Sequence, residues 1–311
     1  MPLQTKFLNL TLKNPITTGA GTFGYGEEIS EFIDVSKLGA IVVKGTSLEP
    51  WPGNPSHRIC ETPSGMLNAI GLQNPGLESF IQNKLPKLRK LGTKVIVSIF
   101  DKTAENFVKV AERLDQEVKN NSGKNKIDGL EVNLSCPNVK AGGATFCAKP
   151  DLMGQVISQI KKVTSLPIIA KLSPNVTDIV EVAKAAVDSG ADALTLINTL
   201  VGMSIDIKTR RPRLRNNIGG LSGPAIHPVA VACVWKVHRA LPSVPIIGIG
   251  GVYDVNSALE MILAGANLVG IGTANFYNPR ICLEIIEGMK RYCEDNGVEN
   301  ICELRGGVRD Y

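Results

Sequence analysis

The sequence predicts an α/β protein with a (β/α)8 TIM barrel, and two observations support this fold class. Short apolar runs alternate with amphipathic helical patterns throughout the 311-residue chain, and several runs lack polar alternation, as in parallel strands covered on both faces. In addition, residues 165–199 and 243–275 both read strand, helix, Gly-Ala, strand. Repeated βα units of this length build a closed parallel barrel. We expect residues 1–311 to form a single domain with long βα loops on its C-terminal face, because α/β barrels of this size are routinely one domain.

Eight strands are predicted, which is the number that such a barrel requires. The predicted strands are 14–19, 40–45, 94–100, 129–135, 167–173, 193–199, 245–251 and 268–273. Between two of these runs, residues 151–163 place four apolar side chains on one helical face, namely Leu152, Val156, Ile160 and Val163. Thr177 and Asp254 are predicted to cap the N-termini of later helices.

Two segments, 46–80 and 200–224, are too long for ordinary βα loops. Oversized loops in compact domains are usually functional or disordered. The second segment contains the basic run KTRRPRLRNN at 208–217. Two interpretations of this run stay open: a solvated loop, or a mobile lid over an anionic substrate.

Composition excludes several classes of protein. The chain is 43% hydrophobic and 20% charged, with a net charge of +5. Five of its basic residues lie in 208–215, so the positive charge is local and does not form a general nucleic-acid surface. The seven cysteines show no regular spacing and no CxxC pair, which favours reduced thiols, a cytoplasmic location and no metal site. There is no signal-peptide pattern and no run of about 20 apolar residues, so we expect no membrane partner.

The most informative motif is NLSCPNVKAGG at 133–143. It places Cys136 between the amides of Asn133 and Asn138, where a strand meets a loop. At that end of a barrel strand, a thiol can act as a base or a nucleophile, while amides hold a planar polar substrate. The alternative is that Cys136 is a small buried hydrophobic residue, as free cysteines often are.

Other polar residues and glycines fall at the ends of the predicted strands. Lys171 lies inside an apolar strand, where burying an ammonium is costly unless acceptors meet it. Glycines after strands seven and eight fit a phosphate cradle, although glycine at a strand end also fits ordinary turn chemistry. The residues alone therefore favour a barrel that binds a phosphate-bearing cofactor, with a flavin preferred, and that uses a cysteine base. The run GAGTFG at 19–24 matches the Rossmann pattern GxGxxG, but the barrel pattern outweighs it.

Seven motifs, in this order, resemble those of dihydroorotate dehydrogenases, and the resemblance extends from about residue 5 to about residue 290. They are GMLNAIGLQNPG (65–76), NLSCPNVK (133–140), KLSPNVTDI (171–179), INTL (197–200), GGLSGPAI (219–226), PIIGIGGV (245–252) and VGIGTANF (269–276). The wording of LNAIGLQNPG and LSCPNVK is similar to that of the class 1B, NAD-dependent catalytic subunits.

The resemblance implies oxidation of dihydroorotate to orotate in de novo pyrimidine biosynthesis. Cys136 would take the proton from C5, with Ser135 beside it, and hydride would pass from C6 to N5 of one FMN per chain. The resemblance also implies an electron-transfer subunit that carries FAD and a 2Fe–2S cluster and delivers electrons to NAD⁺. A homodimeric core within a heterotetramer would follow.

The resemblance further assigns the binding residues. Those for the substrate are Lys44, Asn68, Ala69, Ile70, Gly71, Leu72, Asn133, Asn198 and Thr199, with residues 69–72 acting through their backbone. Those for FMN are Ala20, Lys44, Gly45, Asn133, Lys171, Ile197, Gly223, Gly250, Gly251, Gly272 and Thr273. Ser98 departs from the family, which usually has Asn at this position, so a flavin contact there is left open.

Two alternatives come from other classes. A tRNA dihydrouridine synthase is also an FMN barrel with a cysteine, but it normally has a helical domain after the barrel, and here only about 38 residues follow the last predicted strand. A non-catalytic phosphate-binding barrel would need neither Cys136 nor Lys171.

Overall fold

The computed structural model describes residues 2–120, 127–134 and 149–310. Its strands are β1 (Thr5–Phe7), β2 (Leu10–Leu12), β3 (Ile16–Thr18), β4 (Ala40–Thr46), β5 (Ile59–Thr62), β6 (Gly65–Asn68), β7 (Lys94–Ile99), β8 (Gly129–Asn133), β9 (Ile168–Lys171), β10 (Ala193–Leu196), β11 (Leu200–Gly202), β12 (Ile205–Asp206), β13 (Arg211–Pro212), β14 (Gly219–Ser222), β15 (Ile246–Ile249) and β16 (Leu268–Ile271).

The helices connect these strands. They are α1 (Leu77–Ser79), α2 (Leu85–Leu88), α3 (Ala104–Asn120), α4 (Pro150–Val163), α5 (Ile179–Asp188), α6 (His227–Ala240), α7 (Val255–Ala264), α8 (Ala274–Tyr277) and α9 (Ile281–Asn296). A π-helical stretch, Phe80–Lys84, joins α1 to α2, and short 3₁₀ helices occur at Val35–Lys37, Pro224–Ile226 and Ile301–Leu304.

Eight parallel strands form the barrel in the order β3-β16-β15-β10-β9-β8-β7-β4. All eight predicted strands are present, which confirms the (β/α)8 prediction. Outward-facing side chains such as Leu130 and Val132 pack in the large cluster between strands and helices, whereas alternate residues face the barrel interior. The strands therefore bring their carboxyl ends to one rim, where barrel enzymes hold their active sites.

The barrel closes between β3 and β4 through a side chain rather than a regular ladder. The Thr18 hydroxyl donates to the carbonyl of Val42 at 3.1 Å, and its oxygen accepts from the Val42 N–H at 3.0 Å. Two residues before Thr18, the Ile16 carbonyl accepts from the Gly39 N–H at 3.1 Å. Thr18 is 1% exposed, so these bonds close the seam out of contact with water.

The amino-terminal end of the barrel is filled by the β1–β2 hairpin. Phe7 and Leu12 of this hairpin pack against the interior residues Val42, Ile96 and Ile247 in one apolar cluster. Because this end is filled, the open space of the barrel lies at the carboxyl ends of the strands.

The two long segments form a second, antiparallel sheet in the order β11-β14-β6-β5. In it, Asn68 is paired with Gly220 and Leu67 with Leu221. The basic run contributes part of a small hairpin, β12–β13, whose turn is held by the Asp206 carboxylate accepting from the N–H groups of residues 208 and 209.

Local details correct two sequence predictions. The N-cap of α5 is Asp178, not Thr177, because its carboxylate accepts from the Val180 N–H at 2.8 Å. In α4, Leu152 is 40% exposed and Met153 occupies the buried face instead. The Asp254 prediction is confirmed, since its carboxylate accepts from the Ser257 N–H at 2.8 Å. Among the described helices, none is both long and apolar enough to cross a membrane.

We predict that Thr18→Val destabilises the protein by about 1–3 kcal/mol, the cost of leaving buried backbone polar groups unsatisfied. Equilibrium urea unfolding measures this difference. Thr18→Ser is the matched control, because it keeps the hydroxyl and loses only a methyl group. Equal stabilities of the valine and serine variants would show that the seam does not depend on these bonds.

Candidate active site

A cavity of about 410 Å³ lies at the carboxyl ends of the barrel strands, beneath the second sheet. It brings together nearly all of the binding residues predicted from sequence. The predicted residues that line it are Ala20, Lys44, Gly45, Asn68, Ile70, Gly71, Leu72, Asn133, Lys171, Ile197, Asn198, Thr199, Gly223, Gly250, Gly251, Gly272 and Thr273.

Three predicted residues stand apart. Cys136 and Ser135 lie outside the described residues. Ala69 is described but does not line the cavity: its side chain packs with Leu67 and Leu214. Its N–H donates to the Arg58 carbonyl at 2.7 Å, and its carbonyl accepts from an amide side chain. Both backbone polar groups of Ala69 thus bond to other protein groups, and its contact with the substrate stays a prediction.

One wall of the cavity is built from glycines. Gly223, Gly250 and Gly251 all have positive φ angles, and a Cβ atom on Gly251 would lie 2.6 Å from the Gly223 carbonyl oxygen. A ring N–H of His227, Nδ1, donates to the Gly250 carbonyl at 2.9 Å and fixes this turn. A Cβ atom on Gly272 would meet only the tip of Ile249, at 4.0 Å. The wall is a bare-backbone cradle that suits a phosphate group.

Cationic side chains line the cavity as well. Lys44, near the carboxyl end of β4, is partly buried. Arg58, the residue just before β5, lines the same cavity. Burial, and after it the Arg58 guanidinium, lower the pKa of Lys44 below its usual range, while Glu28 acts in the opposite direction. Both cations favour an anionic ligand here.

The amide side chains come from different elements. The Asn68 amide, on β6, donates to the Gly220 carbonyl at 3.4 Å across the second sheet. Asn198 follows β10, and its side-chain oxygen Oδ1 accepts from the Thr199 N–H at 2.8 Å. A Cβ atom at position 220 would lie 2.1 Å from the Thr199 hydroxyl, so glycine there makes room for the Thr199 side chain. The amides thus meet in one chamber, and such groups can hold a planar polar ring.

Lys171 lies at the floor of the cavity and is paired with a residue that we did not predict. Its ammonium is 3.8 Å from a carboxylate oxygen of Glu131, and both side chains are buried. Thr195 donates to the other carboxylate oxygen at 3.0 Å. The alternation in GLEVNL contained a signal for this residue, since the glutamate lies between two apolar residues that face the helices.

Further residues that line the cavity were not predicted as ligands. They are Gly19, Gly21, Thr22, Arg58, Ile59, Met66, Gln73, Ser98, Phe100, Ser222, Ile226, Ile249 and Phe276. Ser98 is fully buried, and its hydroxyl has no hydrogen-bond partner among the described residues. No residue of the basic run 208–217 lines the cavity in the part of the chain that the structure describes.

The fold and this cavity define an α/β-barrel protein with an anion cradle on one side and a chamber of lysine and amide side chains on the other. The family model for dihydroorotate dehydrogenase matches residues 2–292. The chain belongs to the dihydroorotate dehydrogenase family, which is a family of oxidoreductases with a TIM-barrel fold.

Individual relatives agree with the family match. The chain is 51% identical over 306 residues to a protein of Geotalea uraniireducens and 52% identical over 306 residues to one of Pelobacter propionicus, with 98% of each chain covered. Both are named dihydroorotate dehydrogenase B (NAD(+)), catalytic subunit, a name that implies further subunits in their enzymes.

Family membership implies a flavin cofactor, and the residues of this cavity fit one. Gly272 leaves open space where any larger side chain would project, and the adjoining glycine turns offer backbone to a phosphate. The Lys171 ammonium lies at the floor, where it can meet the anionic form of a flavin ring.

We predict that Gly272→Ala folds normally but binds flavin at least tenfold more weakly, because the methyl group enters the cavity without a clash inside the protein. Titration of the apoprotein with flavin, followed by fluorescence quenching, measures the affinity. Gly129→Ala is the matched control, since its methyl group would make only ordinary contacts at 3.5 Å or more, outside the cavity. Native affinity in the Gly272 variant would place the flavin elsewhere.

Proposed function

We propose that the chain, residues 1–311, works as one FMN-binding barrel domain that oxidises dihydroorotate to orotate in pyrimidine biosynthesis. The observation that carries this proposal is the single cavity in which a glycine cradle, Lys44, Lys171 and three asparagine side chains meet. The family match over residues 2–292 supports the same activity. The cradle takes the phosphate of one FMN per chain, and the amide-lined chamber takes the substrate.

The substrate chamber has the chemistry that a cyclic ureide carboxylate requires. Lys44 supplies a positive charge for the carboxylate, and Asn68, Asn133 and Asn198 supply donors and acceptors for the ring amides. Residues 70–72, in the loop that follows β6, add backbone groups. These contacts fix the face of the ring toward the cofactor, because a ring held by several hydrogen bonds cannot rotate.

We assign to Cys136 the removal of the proton from C5 of dihydroorotate. The thiolate is the form that accepts a proton, so the reaction needs the thiol to ionise first. FMN, when bound, would supply the acceptor for the hydride that leaves C6. Lys171 supplies positive charge at the cavity floor, which favours negative charge on the occupant of the cavity.

The electrons then leave through a partner. We assign to this partner an FAD and a 2Fe–2S cluster, with NAD⁺ as the final acceptor, and a homodimer of the present chain as the core of a heterotetramer. The names of the relatives, which specify a catalytic subunit and NAD⁺, support a partner. Among the described residues there is no cluster of His, Cys, Asp and Glu that could hold a metal. A cytoplasmic location is proposed from the cysteines, of which the five described are all free.

The alternatives receive less support. Identity of 51–52% over nearly the whole length to dihydroorotate dehydrogenases favours this activity over that of a tRNA dihydrouridine synthase. The basic run that an RNA would contact is a hairpin that lies outside the cavity lining. A scaffold without catalysis gives no reason for lysine and amide side chains to converge beside the cradle.

The test is anaerobic addition of dihydroorotate to the purified chain. We expect the flavin absorbance to bleach, the acid-released cofactor to be FMN, and NAD⁺ to leave the flavin reduced until an artificial acceptor is added. A flavin that dihydroorotate does not bleach would contradict the function. Rapid reoxidation by NAD⁺ would contradict only the partner, and rapid reoxidation by fumarate would indicate a different acceptor.

We predict that Cys136→Ser slows bleaching by about 10²–10⁴-fold, the usual contribution of a general base, while FMN stays bound. In the unsubstituted protein the rate should rise with pH as the thiol ionises. The ordinary pKa of a free cysteine thiol is about 8.5. Stopped-flow absorbance under anaerobic conditions measures both. Cys60→Ser is the control, because Cys60 is a free cysteine that does not line the cavity. An unchanged rate in the Cys136 variant would remove this residue from the mechanism.

A further inference from the structure

A buried ion pair lies at the floor of the cavity, where the barrel interior changes from apolar to polar. Glu131 of β8 and Lys171 of β9 have side chains that are 2% and 8% exposed, with 3.8 Å between Oε1 and Nζ. Lys171 lines the cavity, whereas Glu131 does not. The pair therefore connects the closed interior of the barrel to the cavity wall.

The carboxylate of this pair is held in one orientation. The Thr195 hydroxyl, on β10, donates to Glu131 Oε2 at 3.0 Å, and Thr195 is itself 1% exposed. The other oxygen, Oε1, accepts no hydrogen bond from the described residues. Because Thr195 fixes Oε2, Oε1 is directed toward the Lys171 ammonium.

Among the described residues, the register partners of this pair on the adjoining strands supply no second counter-charge. The register partner of Glu131 on β7 is Ser98, and that of Lys171 on β8 is Asn133, and both are neutral. Lys44, which also lines the cavity, carries the same sign of charge as Lys171. A buried charge without a counter-charge is strongly unfavourable, so Glu131 and Lys171 depend on each other.

We propose that Glu131 is a positioning residue for the reaction. It holds the Lys171 ammonium at the cavity wall and offsets part of its positive charge, and in this way sets how strongly reduced flavin is favoured over oxidised flavin. A separation of 3.8 Å is too long for a hydrogen bond, so the ammonium keeps N–H donors for an acceptor in the cavity. The inference rests on the proposed function, since it requires a flavin in this cavity.

The first test is Glu131→Gln, which keeps the size of the side chain and removes its charge. We expect a rise in the flavin midpoint potential, equivalent to at least a tenfold shift in the affinity ratio toward reduced flavin. One charge acting over about 12 Å at an effective dielectric constant of about 20 produces a tenfold shift, and a nearer charge produces a larger one. Dye-equilibrium potentiometry measures it without dihydroorotate. Glu105→Gln, on the exposed face of α3, is the control and should leave the potential unchanged.

The second test separates action through Lys171 from direct action on the flavin. In a Lys171→Met background, Glu131→Gln should shift the potential by clearly less than it does in the wild type, because the part of its effect that acts by positioning the ammonium is gone. An equal shift in both backgrounds would show direct action and overturn the positioning role. An unchanged potential in the Glu131→Gln single variant would also overturn it.

A third measurement needs no flavin. The Lys171→Met apoprotein should unfold at a lower temperature than the Lys171→Met/Glu131→Gln double variant, because the single substitution leaves a buried carboxylate without its counter-charge. A double variant no more stable than the Lys171→Met single variant would overturn the pairing of Glu131 with Lys171. If Glu131→Gln alone does not fold, this comparison of stabilities tests the pairing in its place. A wild-type protein that binds no flavin would count against the proposed function. If dihydroorotate bleaches the flavin of the wild-type protein but the Glu131 variant has the native potential, only the inference about Glu131 is contradicted.

Discussion

Closure of the barrel is the constraint on which the rest of the structure depends. Eight parallel strands deliver their carboxyl ends to one rim only if the first and last members of the sheet meet, and here they meet at Thr18 and Val42 through a side-chain hydroxyl. β3 leads into the loop that begins at Gly19, and β4 itself contains Lys44, so both sides of the seam contribute to the cavity. The same hydrogen bonds therefore stabilise the fold and fix two walls of the site.

Within the closed barrel, polarity changes along the axis. At the amino-terminal end, Phe7 and Ile96 belong to an apolar cluster that excludes water. Toward the carboxyl ends, Glu131, Lys171 and Thr195 form a buried polar layer. Such a layer contributes less to stability than a well-packed apolar one would. Its presence directly beneath the cavity indicates that this part of the barrel serves the occupant of the cavity rather than the core.

The sequence predicted the strands because buried parallel strands are short apolar runs, and it predicted the cradle because glycines follow the last two strands. It did not predict the second sheet, since β5, β6, β11 and β14 have long-range partners that no local pattern reveals. Ala69 was assigned to the substrate by resemblance, which could not show that its N–H bonds to the Arg58 carbonyl, and the substrate contact itself stays a prediction. Glu131 was missed because a glutamate inside a strand usually indicates a solvent-facing position, and only the barrel turns it inward.

The second sheet matters because the chamber is divided between two bodies of structure. Lys44, Asn133 and Lys171 belong to the barrel, whereas Asn68 belongs to the second sheet, so the chamber keeps its shape only if the two are fixed together.

Asn175, in the loop after β9, makes one such connection. Its side-chain amide nitrogen donates to the Thr199 carbonyl at 2.9 Å, and its side-chain oxygen Oδ1 accepts from the Val201 N–H at 3.0 Å. A second connection is short: only residues 197–199 separate β10 of the barrel from β11 of the second sheet. Asn198 and Thr199 lie in that connection, so two of the residues assigned to the substrate also transmit the position of one sheet to the other. A ligand that binds both sheets would therefore also stabilise their relative placement, because binding free energy adds to the stability of the state that binds.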